Sequence, residues 1–295
     1  MVAGSGSPTA STEENHRRRY PTVILVTGAN GQLASLILAE LDARGVPAIG
    51  ASRTPTGSRR RLDFDDPASL DLTGVTTLVL VSAGYAEDDR VVARHRAVLD
   101  AAVRDGVHHV IYTSLTTAGD HLAFAPAHRA TERMIRDSGL AWTVLRNGLY
   151  AELFGALLTW TPDGLESPFG DGILAAVTRA DLAAAAAVVA STPAAHAGRV
   201  HDLVGTPVSA AGVAAHLGVE HRTIGLGEYR ARLLDDGDLL AFQPPMLASI
   251  ATGVRHGFLG GTGPDLERLL RRPPSDAMAV AAATALGQRP RCTTR

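Results

Sequence analysis

Gly28, Gly31 and Ala34 are spaced by threes at the end of a short apolar run, Val23-Ile24-Leu25-Val26-Thr27. A segment with Leu33, Ile37 and Leu41 on one helical face follows at once. Glycines there let the backbone turn sharply and come close to a pyrophosphate, and the new helix points its N–H groups and positive dipole end at the anion. The spacing alone also suits a purely structural turn. The strand before it and the helix after it favour a dinucleotide cradle, with Gly28, Asn30, Gly31, Gln32 and Leu33 as candidate contacts.

Arg53 chooses the cofactor. A site for NAD places Asp or Glu at the end of the second strand to bind the ribose 2′-hydroxyl, whereas a 2′-phosphate favours Arg. The chain has Arg53 there and no acidic residue between Gly45 and Arg61, so NADPH is expected. Arg59, Arg60 and Arg61 fit a solvated loop better than direct contact. Two further places can face the ligand. Ser82-Ala83-Gly84 ends a third strand with small residues over which a nucleotide can lie, and Thr113-Ser114 ends the fourth.

The elements that must position these groups alternate. Strands are predicted over 46–52, 77–82, 107–114, 140–145 and 200–205, with helices over 88–105 and about 127–138 and a loop over 115–126 between them. This is an α/β chain with a doubly wound parallel sheet and right-handed crossovers. Asp63 to Asp66 read as a structural strand end leading into a helix, with Asp66 as N-cap and Pro67 in the first turn. Thr178 and Asp181 resemble a capping box before an alanine-rich helix. His95, on an apolar helical face, is expected to be packed or hydrogen-bonded rather than catalytic.

The composition excludes other chemistries. All 28 basic residues among the 295 are Arg, so there is no Schiff-base lysine, no P-loop lysine and no Tyr-x-x-x-Lys pair. A net charge of −2 argues against nucleic-acid binding. Arg17 to Arg19 lie on a polar tail expected to be disordered. No apolar run reaches the ~20 residues that span a bilayer and the first residues lack a signal-peptide core, so no membrane association and a cytoplasmic location are expected. The single Cys292 permits neither an intrachain disulfide nor a cysteine-built metal site, and no metal is expected.

TGANGQLA, YTSL, HRATERMIRDSG, TVLRNGLYAE, GDG and VTRADLAAAAA, in that order, resemble the NmrA-like atypical short-chain dehydrogenases, specifically the quinone reductase and triphenylmethane reductase branch. The likeness runs from about Thr22 to Leu286. It implies a Rossmann-like NADPH-binding domain and a smaller, helix-rich C-terminal lobe closing a cleft over a small aromatic acceptor, and it allows a homodimer. It places Arg53 on the 2′-phosphate, and it puts His128 and Glu132 at the positions of the ordinary dehydrogenase's Tyr and Lys. The catalytic candidates are Asn147 and Tyr150, just past a strand end where acceptor and nicotinamide should meet, and His128, as a proton donor near neutral pH. A non-catalytic NADP-binding redox sensor is the alternative that the same family offers.

The expected organisation is a disordered tail over 1–20, an NADP-binding domain over 21–150 with return segments around 172–205, a substrate-side lobe over 151–171 and 206–286, and a tail over 287–295. Residues 151–169 suit either a flap or ordinary packing. Phe242, Pro244, Pro245, Met246 and Phe258 are candidates for an apolar wall around the acceptor, and Pro273-Pro274 is expected to mark fading order.

Overall fold

The computed structural model describes residues 23–83 and 86–290. The expectations for the tail over 1–20, for Arg17 to Arg19, for Gly84 and for Cys292 therefore lie outside the described residues.

The chain begins by alternating strand and helix: β1 (Ile24–Thr27), α1 (Gln32–Ala43), β2 (Ala48–Ser52), β3 (Arg60–Arg61), β4 (Thr77–Leu80), α2 (Asp88–Arg104), β5 (His109–Leu115), α3 (Ala125–Asp137) and β6 (Ala141–Asn147). Next come α4 (Ala151–Ala156), β7 (Thr159–Thr161), β8 (Gly164–Ser167), β9 (Leu174–Ala176), α5 (Arg179–Ser191) and β10 (Arg199–Leu203). The last stretch holds β11 (Thr206–Val208), α6 (Ala210–Leu217), β12 (Glu220–Thr223), α7 (Leu226–Asp235), α8 (Gln243–Arg255), α9 (Asp265–Leu270) and α10 (Ala277–Gly287).

Seven parallel strands form the main sheet in the order β10-β6-β5-β4-β1-β2-β3. The order reverses between β1 and β4, which opens a crevice at the C-terminal strand ends, where ligands of doubly wound sheets bind. Ile37 and Leu41 of α1 pack with the alanines of α5 on one face of the sheet, and Val98 and Leu99 of α2 pack with Ile135 of α3 on the other. Burial on both faces explains why the strands read as continuous apolar runs rather than alternating ones. Pro67 does sit in a first turn, but of a three-residue 3₁₀ helix, and the Asp66 carboxylate accepts from Arg61 (3.0 Å) instead of capping it.

A second core joins α4, β8, α6, α8 and α10. Residues 151–169, open between flap and packing, are mostly packing: β7 and β8 form an antiparallel hairpin with Leu165 and Phe169 buried. Pro273-Pro274 does not end ordered structure. Asp276 caps α10 through the amide of Ala279 (3.1 Å), and Ala281, Ala282 and Ala285 are buried in this core. A Cβ on Gly155 would run into the Ala281 carbonyl, so α4 and α10 meet at backbone distance.

Candidate active site

Two adjoining cavities occupy the crevice and share Val81 and Ser82 in their walls. The larger, about 710 Å³, lies over β1 and β2 and takes in Gly28, Asn30, Gly31, Arg53, Ser82 and Ala83. The smaller, about 260 Å³, lies over β5 and β6 and takes in Leu33, Thr113, Ser114, His128, Asn147 and Tyr150. All the candidates but two therefore lie along one line. Gln32 opens α1, exposed and outside both walls, and Gly84 is undescribed.

At the turn, Gly28 has a φ of +67°, a backbone that L side chains rarely adopt, and its carbonyl accepts from the Gly31 amide (2.7 Å). No side chain caps α1 and its first turn holds no acid, so its leading N–H groups remain for an anion. Asn30 fixes the outer rim by donating to the Thr54 carbonyl (3.0 Å) and accepting from Arg59 (2.5 Å). Arg60 and Arg61 form the edge strand β3 rather than the solvated loop expected, and their side chains bond the Thr73 carbonyl and Asp66 outside the cavity wall. Arg53, in the cavity wall, has no partner among the described residues.

A bound dinucleotide phosphate fits this set. Among the described residues three buried side-chain polar atoms lack a partner, Ser52 Oγ, Ser82 Oγ and Asn147 Oδ1, and all three residues line one or other cavity. Buried polar atoms are rarely left unpaired, so three along one crevice argue for ligand atoms as their partners. Ser52 and Arg53 would hold the 2′-phosphate ribose, the start of α1 the pyrophosphate, and Ser82 the nicotinamide end.

The residue types at the ordinary dehydrogenase positions serve other purposes. Glu132 is 1 % exposed and receives Ser114 Oγ (2.7 Å), Arg129 (2.9 Å), Arg136 (3.0 Å) and Arg146 (2.7 Å). Burial works against its charge, but hydrogen bonds from Arg146 and Ser114, with the charges of Arg146 and Arg129, outweigh it and hold the carboxyl down at about 2. Ser114 thus spends its proton on Glu132.

His128 meets Tyr112 through Nδ1 (2.9 Å), leaving Nε2 for a ligand. Burial, helped by the Arg129 charge, pushes the imidazole down to about 4, so it is neutral near pH 7. That corrects the expectation of an imidazolium proton donor: His128 can donate an N–H hydrogen bond, not an excess proton. Burial also raises the phenols of Tyr112 and Tyr150, which keep their protons. Tyr150 precedes α4 with Arg179 4.4 Å over its ring, and its hydroxyl has no partner among the described residues.

His95 is packed and hydrogen-bonded, as expected. Its Nε2 accepts from the Ala83 amide (3.0 Å), and Nδ1 donates to Thr131 (2.8 Å), whose own hydroxyl proton goes to the Ala127 carbonyl (2.9 Å). A buried imidazole thereby fixes the strand end on which the crevice is built.

Some lining residues escaped the sequence reading. Asp63, Phe64 and Asp65, taken as structural, wall the larger cavity with Arg94, which grips Asp65 through two nitrogens (2.9 and 2.6 Å). An aromatic among acids at a strand end was the available signal. Asp88 and Phe124 line the smaller cavity. Of the proposed apolar wall only Met246 reaches it, from α8 beside Ile250, while Phe258 is exposed and packs edge-on against His121.

Comparison with known proteins accords with this geometry. A family model described as NAD(P)H-binding matches residues 28–193. Quinone oxidoreductase 2 of Escherichia coli is 35 % identical over 280 residues, covering 85 % of this chain and 94 % of that protein. The chain belongs to the NmrA-like NAD(P)H-binding reductases. The E. coli NADPH-dependent quinone oxidoreductase, solved with NADPH, superposes on the reductase with a TM-score of 0.78 at 32 % identity, over 88 % of this chain and 99 % of that one. Triphenylmethane reductase of Citrobacter sp., solved with NADP(H), gives 0.79 at 28 % identity, over 90 % and 100 %. NmrA, a negative transcriptional regulator, gives 0.71 at 17 % over 90 % and 95 %, and shares the fold. The reductase is NADPH-dependent, and none of its described helices is long and apolar enough to cross a membrane.

Proposed function

We propose that the reductase transfers hydride to a quinone or a related aromatic, polyketide-like acceptor held in the 260 Å³ cavity beside the cofactor crevice. The observation that carries this is Asn147 Oδ1: buried, without a protein partner, and in the wall of a cavity continuous with the crevice. NADPH, when bound, supplies the hydride and with it the difficult part of the chemistry.

The chain's own residues orient the acceptor and stabilise charge. The apolar wall of Leu115, Phe124, Leu153, Met246 and Ile250 suits a flat ring and excludes water from it. The Asn147 amide, the Tyr150 hydroxyl and His128 Nε2 are the polar groups able to hydrogen-bond an oxygen that becomes negative as hydride arrives, and a fixed donor of that kind is worth about 10²- to 10³-fold in rate. Tyr150, still protonated at neutral pH, or a water reaching it supplies the proton that completes reduction.

A non-catalytic sensor would have this space filled by side chains, so the open cavity supports the enzyme reading. Purified protein mixed with NADPH and a panel of quinones, dyes and polyketide-like ketones tests it. Acceptor-dependent loss of NADPH absorbance is expected, and cofactor binding without oxidation by any of them would sink the proposal.

A further inference from the structure

Among the described residues lining the smaller cavity, Asp88 is the one with a formal charge at neutral pH. It stands at the start of α2, and its carboxylate has no hydrogen bond or ion pair among the described residues. The cations near it are committed elsewhere. Arg90 and Arg94, on the same helix, both turn to Asp65 (3.4 and 2.6 Å). Arg129 and Arg146 are engaged by Glu132 and Asp120, and Arg179, over the ring of the wall residue Tyr150, by Glu152 (3.6 Å). His128 is neutral near pH 7. An anionic group entering this space would lose its water, find no counter-charge, and meet a carboxylate.

We infer that Asp88 sets the charge selectivity of the pocket, which takes uncharged or cationic aromatic acceptors and turns away those bearing a carboxylate, sulfonate or phosphate. The inference rests on the cavity being the acceptor site. An acid in a first helical turn commonly complements the helix dipole, which favours its charged form. Asp88 shows the opposite sign: burial, then Glu87 and Asp89, raise its carboxyl above the ordinary range. The unpartnered Asn147 Oδ1 in the same wall is an independent sign of a ligand there.

The test uses the full chain and three acceptors of one shape: naphthoquinone, a naphthoquinone sulfonate and a trimethylammonium naphthoquinone. The expected kcat/KM for the sulfonate is at least about tenfold below that of the parent, with the cation at or above the parent. Asp88→Asn, or Asp88→Ser should the amide fold poorly, is expected to narrow the sulfonate-to-parent ratio by roughly tenfold. Asp89→Asn, which removes the same charge one residue outside the wall, should leave the ratio where it was. A sulfonate handled like the parent, or a ratio unmoved by Asp88→Asn, overturns the inference. Binding of the same compounds to the NADP-loaded protein, read by tryptophan fluorescence, needs no turnover. Parent binding without reduction would end the enzyme proposal, while the sulfonate-to-parent binding ratio still decides the role of Asp88. A protein that binds none of the three overturns both.

Discussion

Ser114 Oγ donates to Glu132 Oε1 across 2.7 Å, from the end of β5 to the middle of α3. A strand-end hydroxyl in the wall of the smaller cavity is here tied into a buried ion cluster, with Arg129 and Arg146 completing it. The joint ties β5, α3 and β6 together beside the smaller cavity.

Glu132→Gln keeps the shape of that joint and removes its charge, leaving the Arg146 guanidinium, of low exposure, without its ion-pair partner while Arg129 keeps Asp120. A stability loss on the order of 3 kcal/mol is expected by denaturant titration. A variant as stable as the parent would show that the cluster contributes no net stability.

Asn147→Leu separates binding from structure. Since Oδ1 has no protein partner, the apo protein should melt no lower than the parent, because no hydrogen bond is lost and an unpaired polar atom is removed. Turnover should fall by about 10²-fold or more. A melting temperature that falls in step with activity would mean that Asn147 is merely structural.

Arg53→Ala should raise the KM for NADPH by about 10- to 100-fold, the worth of one or two charge-assisted hydrogen bonds, and leave that for NADH within about threefold. Steady-state kinetics with both cofactors reads the ratio directly. Equal losses with both would place the side chain away from the 2′-phosphate.

Acid should weaken the fold in two stages. His95 and His128, pushed by burial to about 3 and about 4 from 6.5, stay neutral in the folded chain while their unfolded counterparts take up protons. Their stabilisation is complete above pH 6.5 and is lost as pH falls toward those values, at about 1.4 kcal/mol per pH unit per group. Glu132, held at about 2 against 4.5, adds a second loss between those limits. Thermal melts from neutral to acid pH check the sign, and His95→Asn should flatten the first stage.

The glycine turn, the parallel strands and the Thr178 cap were legible because each is a local pattern: Thr178 Oγ1 does accept from the Asp181 amide (3.1 Å). The other half of that box was not legible. The Asp181 carboxylate reaches Arg272 (2.7 Å) and Ser275 (2.6 Å), partners some ninety residues away that no local spacing reveals. Phe64 was hidden for a similar reason, because β3 is two residues long and carries no periodic signal. Pro273-Pro274 misled because proline marks a stop, yet α10 is mostly alanine and valine and is ordered by what it packs against. Asn147 and Tyr150 were found by position, at the end of a strand, whereas Asp88 opens a helix whose start faces the crevice only in three dimensions.

The backbone-close seat of α10 against α4 gives synthesis a direction. The seven-stranded sheet has all its strands once Leu203 has left the ribosome, so the nucleotide half can form early. The second core waits for Ile250 of α8 and for Ala281 of α10, the latter about eighty residues beyond Leu203. The order of emergence thus completes the strands of the cofactor sheet before the helix that walls the smaller cavity from the far side is made.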